Sequence, residues 1–126
     1  MKYYAHSTEN PDKSDWQELG EHLQNVSALA AEFSAVFGAE DWGRAAGLLH
    51  DTGKATREFI RRLEGKSVRV NHSIFGARQG LAHCVRLGEL LAYVVAGHHG
   101  GLPDGGMQDG QLHYRLRHER IPEDAG

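Results

Sequence analysis

The chain has 126 residues, of which 40% are hydrophobic and 25% are charged, a composition that excludes disordered, collagen-like and low-complexity proteins. Its formal net charge of −3 excludes a strong overall attraction to polyanions, so binding to a nucleic acid would depend on local basic clusters or on bound metal. The single cysteine excludes an intramolecular disulfide framework. The length predicts one domain over residues 1–126. No stretch approaches the ~18 apolar residues of a membrane helix, and the single cysteine favours a reducing compartment, so the expected location is the cytoplasm. Nine histidines and sixteen glycines are the unusual features.

The first predicted helix begins near Ser14 or Asp15 and ends at Gly38, after an irregular polar lead-in over residues 1–13. Both starting residues have a partner three positions later that completes the spacing of a capping box. Apolar residues then recur at steps of three and four, which predicts one stripe facing the core. The stripe consists of Trp16, Leu19, Leu23, Val26, Ala30, Phe33 and Phe37.

Two shorter helices are predicted next. The first runs from about Asp41 to His50, and its sequence is too apolar on all sides for a surface helix. The second runs from Thr56 to Leu63, with Phe59 facing inward and arginines facing outward. Both segments therefore contribute to the predicted core.

The rest of the chain is predicted as two further helices, a glycine-rich loop and a tail. After a loop over residues 65–70, the fourth helix covers about 72–82 and the fifth about 85–96. The apolar face of the fifth helix consists of Leu87, Leu90, Leu91, Val94 and Val95. Glycines mark residues 97–110 as a loop, and residues 111–126 form a tail that is either a short helix or mobile. No strand pattern is present, so the predicted fold class is all-α, with about five helices.

Five of the nine histidines fall at inward positions or at helix ends. They are His22, His50, His72, His98 and His99. Imidazole and carboxylate groups are the usual ligands of first-row transition metals, and a helical bundle can bring them together from distant positions. A single histidine such as His22 is by itself more often a hydrogen-bonded, half-buried side chain than a ligand. Asp51, however, follows a helix C-terminus where the dipole disfavours a carboxylate, which favours metal ligation.

Five ordered motifs of this chain are shared with a known family. They are Tyr4-Ala5-His6-Ser7, Glu21-His22-Leu23, His50-Asp51-Thr52-Gly53-Lys54, Asn71-His72-Ser73 and Gly97-His98-His99-Gly100-Gly101-Leu102-Pro103. The His-Asp motif resembles the signature of the HD superfamily of metal-dependent phosphohydrolases. The whole set, over about residues 3–106, resembles the HD nuclease of type I CRISPR interference. The fold that this resemblance implies is an HD-domain helical bundle around a metal site.

The resemblance implies up to two divalent transition metal ions that share Asp51 as a bridging ligand. His22 and His50 would bind the first metal, and three further histidines would bind the second. These three are His72, His98 and His99. A histidine-rich ligand set favours Mn, Fe, Co or Ni over Mg. Two such cations would polarise a phosphodiester and activate a water molecule at neutral pH.

The resemblance also implies a role for Lys54, which matches a lysine beside the metals. Its point charge suits the non-bridging oxygens of a phosphate, so Asp51 and Lys54 are the predicted catalytic residues. The alternative is a solvated lysine after a helix end. Lys54 and Arg57 are also predicted to bind substrate, because residues 57–69 contain five Lys or Arg and only two Glu. A solvated helix face is the alternative explanation for that cluster.

The chain departs from the family at one ligand position. The family's first metal has a further aspartate ligand, well downstream of the paired histidines, and none of Asp104, Asp109 and Asp124 occupies a matching position. The resemblance therefore implies a chain that is short at its C-terminus and incomplete at the first site, where another chain or water would supply the ligand. The second site has its ligands complete.

The expected function is a metal-dependent endonuclease that cleaves single-stranded DNA in CRISPR antiviral defence. Its expected partners are a superfamily 2 helicase, as a domain or a subunit, and the CRISPR surveillance complex. One alternative is an HD phosphohydrolase of nucleotides or cyclic dinucleotides. Another is a catalytically incomplete module that binds metal or docks onto a partner.

Overall fold

The computed structural model describes residues 1–84 and 86–122 of the chain. Within those residues it contains six α-helices and one short antiparallel pair of strands, which confirms the predicted all-α class. In chain order the elements are β1 Tyr4–His6, β2 Gln17–Glu18, α1 Leu19–Ala35, α2 Glu40–Leu49, a 3-10 turn Thr52–Lys54, α3 Arg57–Leu63, α4 His72–His83, α5 Gly88–Gly97 and α6 Leu112–His118.

The predicted start of the first helix was wrong, because residues 14–18 form a turn and strand β2 instead. The backbone of this strand pairs with β1, where Tyr4 lies opposite Glu18, so part of the lead-in is a strand. The side chains predicted to cap the helix are hydrogen-bonded within the lead-in. The Ser14 hydroxyl accepts a hydrogen bond from Asn10, and the carboxylate of Asp15 accepts one from Thr8. The helix therefore begins after the strand.

The apolar stripe predicted for this helix is only partly in the core. Leu19 is buried as predicted, but Phe33 and Phe37 are 69% and 73% exposed. The buried face of α1 further along instead carries small residues, namely Ser27, Ala31 and Ser34. Helix α2 crosses α1 so closely that a Cβ added at Gly47 would lie 2.5 Å from the Cα of Ser27. Bulky side chains do not fit this contact, so they lie on the outside.

The central core is formed by α4 and α5, with α6 covering one end. Its buried cluster consists of Ile74, Ala77, Ala92, Val95, Ala96 and Leu112. Leu91 and Val95 are buried as predicted, whereas Leu87 and Leu90 are 46% and 53% exposed. Helix α5 begins at Gly88, three residues later than predicted, and Val85 lies outside the described residues. The buried face of α5 is therefore rotated relative to the predicted one.

Side-chain caps set the starts of α3 and α4. The hydroxyl of Thr56 accepts a hydrogen bond from the backbone N–H of Phe59, and the Asn71 side chain accepts one from Ile74. Residues 98–111 contain no helix or strand, and α6 follows them. The remainder of the predicted tail, residues 123–126, lies outside the described residues. Among the described residues, no helix combines the length and the apolar character needed to cross a lipid bilayer.

The close crossing of α1 and α2 predicts opposite effects for two Gly→Ala substitutions. Gly47→Ala should lower the free energy of unfolding by about 2–3 kcal/mol, because the new Cβ meets backbone atoms that can move only if the helices separate. Gly20→Ala is the matched control, since nothing lies within 4 Å of a Cβ there. It should leave stability unchanged or raise it by up to about 1 kcal/mol. Urea denaturation measures both, and equal effects would contradict the close crossing.

The exposure of Phe33 on α1 and the burial of Leu91 on α5 predict a second contrast in stability. Phe33→Ala should change the free energy of unfolding by less than about 0.5 kcal/mol, since this ring is already in water. Leu91→Ala should lower it by about 2–5 kcal/mol, because the side chain is fully buried. Thermal and denaturant unfolding of the two variants provide the measurement. A large loss of stability in the Phe33 variant would instead support burial of the apolar stripe that the sequence predicted.

Candidate metal centre

The candidate site is centred on the carboxylate of Asp51, which follows α2 and precedes the 3-10 turn. Asp51 is only 3% exposed, and its two oxygens point towards different sets of side chains. The structure brings together all six residues predicted as ligands. They form two groups that share Asp51, namely His22 with His50 and His72 with His98 and His99.

The first group surrounds the Oδ2 atom of Asp51. The Nε2 atom of His22 lies 3.1 Å from this oxygen, and that of His50 lies 3.2 Å from it. The two ring nitrogens are themselves 3.2 Å apart. Asp104 and Asp109, both exposed, belong to neither group, and Asp124 lies outside the described residues. The described residues thus provide this group with three ligand atoms.

The second group surrounds the Oδ1 atom of Asp51. The Nε2 atoms of His72 and His98 each lie 3.2 Å from this oxygen. The Nε2 atom of His99 lies 2.8 Å from that of His72, at the exposed edge of the group. This group offers four ligand atoms, all within 4.8 Å of one another.

Two of the histidines are oriented by the helix that carries them. His50 follows the last residue of α2, and its Nδ1 donates a hydrogen bond to the carbonyl of Gly47, 2.7 Å away. His98 follows the last residue of α5, and its Nδ1 donates to the carbonyl of Val95, 2.6 Å away. A carbonyl can only accept, so both Nδ1 atoms carry the proton. The Nε2 atom of each ring is thereby left to face Asp51.

The donor set fits divalent transition metals. When His50 and His98 are neutral, each Nε2 lone pair faces a carboxylate oxygen, and two acceptors in contact favour a cation between them. Ligand atoms 2.8–3.2 Å apart also match the spacing of adjacent ligands at right angles around an ion with bonds of about 2.1 Å. Nitrogen and carboxylate ligands together are typical of Mn, Fe, Co, Ni and Zn sites.

Lys54 points into the site and not into solvent. Its side chain is almost completely buried, and its ammonium lies 2.8 Å from the Oδ2 atom of Asp51. The ammonium also donates a hydrogen bond to the carbonyl of Ala5 and lies over the ring of Phe59, 5.2 Å from its centre. The alternative of a solvated lysine was therefore wrong. In this structure the charge of Lys54 balances the buried carboxylate.

Strand β1 has a part in the site that the sequence did not reveal. Its central residue, Ala5, supplies the carbonyl that accepts from Lys54. The next residue, His6, places its ring edge-on to His22, with ring centres 5.1 Å apart. The sequence assigned no role in the site to the motif that includes both residues. The pairing of β1 with β2, beside the start of α1, explains how it gets there.

The glycine of the His-Asp-Thr-Gly-Lys segment permits a close contact between the two halves of the site. A Cβ added at Gly53 would lie 2.2 Å from the backbone oxygen of His72 and 2.6 Å from its Cα. No side chain fits between these backbones. The missing side chain at Gly53 therefore lets α4 begin beside Asp51, which brings the ring of His72 to the carboxylate.

The charges of the site are set by burial and by hydrogen bonds. Burial by itself would raise the pKa of Asp51, but hydrogen bonds from three imidazoles and from Lys54 outweigh it and hold the pKa well below its usual range. Burial lowers the pKa of His22 and of His99. For His50 the hydrogen bond and charge of Asp51 outweigh burial, so its pKa is raised. The carboxylate is thus charged, and within the first group His50 holds a proton more strongly than His22 does.

The predicted substrate residue Arg57 lines a different cavity from the one beside the ligand groups. It lines a cavity whose other polar lining comes from Lys2, Tyr4, Lys13 and Arg61, and none of the predicted ligands lines that cavity. On the other side of α3, two arginines for which the sequence predicted no role, Arg62 and Arg69, line a cleft beside the second group. The spacing of the arginines in the sequence did not distinguish these two sides.

Comparison with known proteins identifies the family. The family model described as HD domain matches residues 19–125, which include all six predicted ligands. A search of curated proteins finds no match. HD domains are typically metal-dependent hydrolases that bind divalent metals, in agreement with the ligand groups around Asp51. The match covers most of the chain, and the protein therefore belongs to the HD-domain family.

Proposed function

We propose that this protein is a metal-dependent nuclease that cleaves single-stranded DNA in CRISPR antiviral defence. An HD domain implies a metal-dependent phosphohydrolase, and the proposal narrows that activity to a phosphodiester of DNA. The narrower assignment is supported by the resemblance of five ordered motifs to the HD nuclease of type I CRISPR interference. Its proposed partners are a superfamily 2 helicase and the surveillance complex, and its proposed location is the cytoplasm.

One observation carries the proposal, namely a single buried carboxylate with a group of histidines at each oxygen. His22 and His50 would hold one ion, and His72, His98 and His99 would hold the other, with Asp51 shared. Two bound metal ions would supply Lewis-acid activation of a phosphodiester and a nucleophile at neutral pH. Mn, Fe, Co or Ni are the proposed ions, because the ligands are mostly imidazoles.

The chain's own residues prepare this site for an anionic substrate. Lys54 holds the Oδ2 atom of Asp51, and the carbonyl of Ala5 holds Lys54, so the carboxylate has one orientation. The Nδ1 hydrogen bonds of His50 and His98 fix the orientation of two rings. These contacts reduce the reorganisation that metal binding requires. The exposed edge at His99 leaves the second group accessible from solvent.

The proposal predicts metal-dependent cleavage of single-stranded DNA that depends on Asp51. Protein loaded with Mn, Co or Ni should cut a labelled oligonucleotide, and Asp51→Asn should reduce the rate by at least about 100-fold, because both groups lose a shared ligand. His99→Gln is a second test in which folding is preserved, since this ligand is at the surface. Asp104→Asn is the matched control in the loop outside both groups. Equal rates for wild type and Asp51→Asn would contradict the assignment.

The two alternative functions are separated by substrate range and by metal content. A phosphohydrolase of nucleotides or cyclic dinucleotides would turn over those compounds and leave DNA intact. A metal-binding or docking module would cleave neither. It would hold one metal per chain, at the group of four ligand atoms, or none, whereas an intact nuclease should hold two. Elemental analysis of purified protein, with a substrate panel, distinguishes these cases.

Metal binding should also depend on pH. Imidazoles bind metals only when the coordinating nitrogen is unprotonated, so affinity should fall as the pH decreases from about 8 to about 6. His50 should release a proton when the metal binds, because its pKa is raised in the metal-free protein. His22 should release less, because burial lowers its pKa. Calorimetry in buffers of different ionisation enthalpy measures the released protons, and a pH-independent affinity would contradict these ligand assignments.

A further inference from the structure

An open cleft of about 520 Å³ lies directly beside the second ligand group. His72 and His99 form part of its wall, so one side of the cleft is made of predicted metal ligands. Arg62 and Arg69 line the same cleft, and Asn71 and Ser73 add polar groups. A metal at the second group would therefore have two guanidinium groups in the adjoining cleft.

Arg62 and Arg69 are available for a ligand. Both are exposed, and no hydrogen bond or ion pair joins either guanidinium to another residue in the described parts of the chain. The carboxylates near Arg69 already form ion pairs with other arginines. Glu58 pairs with Arg120, and Glu119 pairs with Arg115. The cleft thus keeps its positive charge.

We infer that Arg62 and Arg69 bind a backbone phosphate of the substrate next to the phosphate that is cleaved. The inference rests on the proposed function and makes it more specific. Guanidinium groups bind phosphate oxygens with two parallel hydrogen bonds, which suits the exposed arginines of this cleft. This phosphate site lies beside the second ligand group only, because the first group is bordered by the strand β1 and the ring of His6. The substrate class is therefore an oligonucleotide that continues past the metal centre along the end of α3.

This arrangement gives a polymer an advantage over a small phosphodiester. A compound whose single phosphate lies at the metal centre has no second phosphate for the cleft, so the two arginines do not bind a phosphate of it. An oligonucleotide has a second phosphate for the cleft, and each phosphate contact contributes salt-dependent affinity. The same two residues thus favour a nucleic-acid strand over a mononucleotide.

The test compares two double variants that remove the same charge. One is Arg62→Gln/Arg69→Gln. The control is Arg61→Gln/Arg86→Gln, in which Arg61 lies on the same helix but lines the other cavity and Arg86 is exposed before α5. The probe is a fluorescein-labelled single-stranded oligodeoxythymidine of about ten nucleotides, a length that a single site can cover. Fluorescence anisotropy gives its dissociation constant, and metal content is measured for each protein.

The cleft variant should bind the oligonucleotide about tenfold more weakly than wild type. The slope of log affinity against log salt should fall by about 0.7, the value for one single-strand phosphate contact. The control should change both quantities much less. In the manganese-loaded proteins the cleft variant should raise KM for the oligonucleotide, while hydrolysis of bis(p-nitrophenyl) phosphate and metal content stay at wild-type levels.

The outcomes separate the inference from the proposed function. Equal weakening in both double variants, or wild-type binding in the cleft variant, would overturn the inference even if the protein cleaves DNA. A wild-type protein that does not bind the oligonucleotide would overturn it as well. If no protein cleaves DNA but only the cleft variant loses binding, the proposed nuclease activity fails and the phosphate site stands. A loss of bis(p-nitrophenyl) phosphate hydrolysis in the cleft variant would assign the arginines to the metal centre instead.

Discussion

The structure depends on keeping one buried carboxylate charged. Asp51 is almost fully enclosed, and an isolated charge in such a place would be strongly disfavoured. The protein compensates it with the ammonium of Lys54 and with imidazole nitrogens at both oxygens. These partners lie on α1 and α4, at the C-terminal ends of α2 and α5, and in the 3-10 turn, so the positions of four of the six described helices are tied to this one group.

That constraint explains why the helix ends matter more than the helix centres. His50 and His98 each follow the last residue of a helix, and His72 is the first residue of α4. The small side chains between α1 and α2, and the missing one at Gly53, allow these ends to meet without gaps. The hydrophobic core of α4 and α5 then supports the site from one side.

The sequence was informative where a residue type was rare or its position was unusual. An aspartate directly after a helix C-terminus and histidines at inward positions or helix ends both pointed to ligands, and the structure places them in one cluster. The periodic pattern was less informative, because Phe33 repeats with the spacing of a core residue and yet faces water. Periodicity identifies a face of a helix but not its neighbour, and only the close approach of α2 at Gly47 determines which face is buried. The same limitation applies to α3, where adjacent arginines line different cavities.

The Nδ1 hydrogen bonds of His50 and His98 have a consequence for how the site fills. Each bond spans only four residues at the C-terminal end of a helix, so the orientation of the ring depends on that end alone. Each half of the site therefore contains one ring that is already aimed, opposite one oxygen of a carboxylate that Lys54 holds still. A cation bound in either half would find this pair of ligands preset, and His22 in the first half, or His72 and His99 in the second, would be its further protein ligands. The centre is thus built with one prepositioned ring at each oxygen of a single aspartate, with one further histidine in the first half and two in the second.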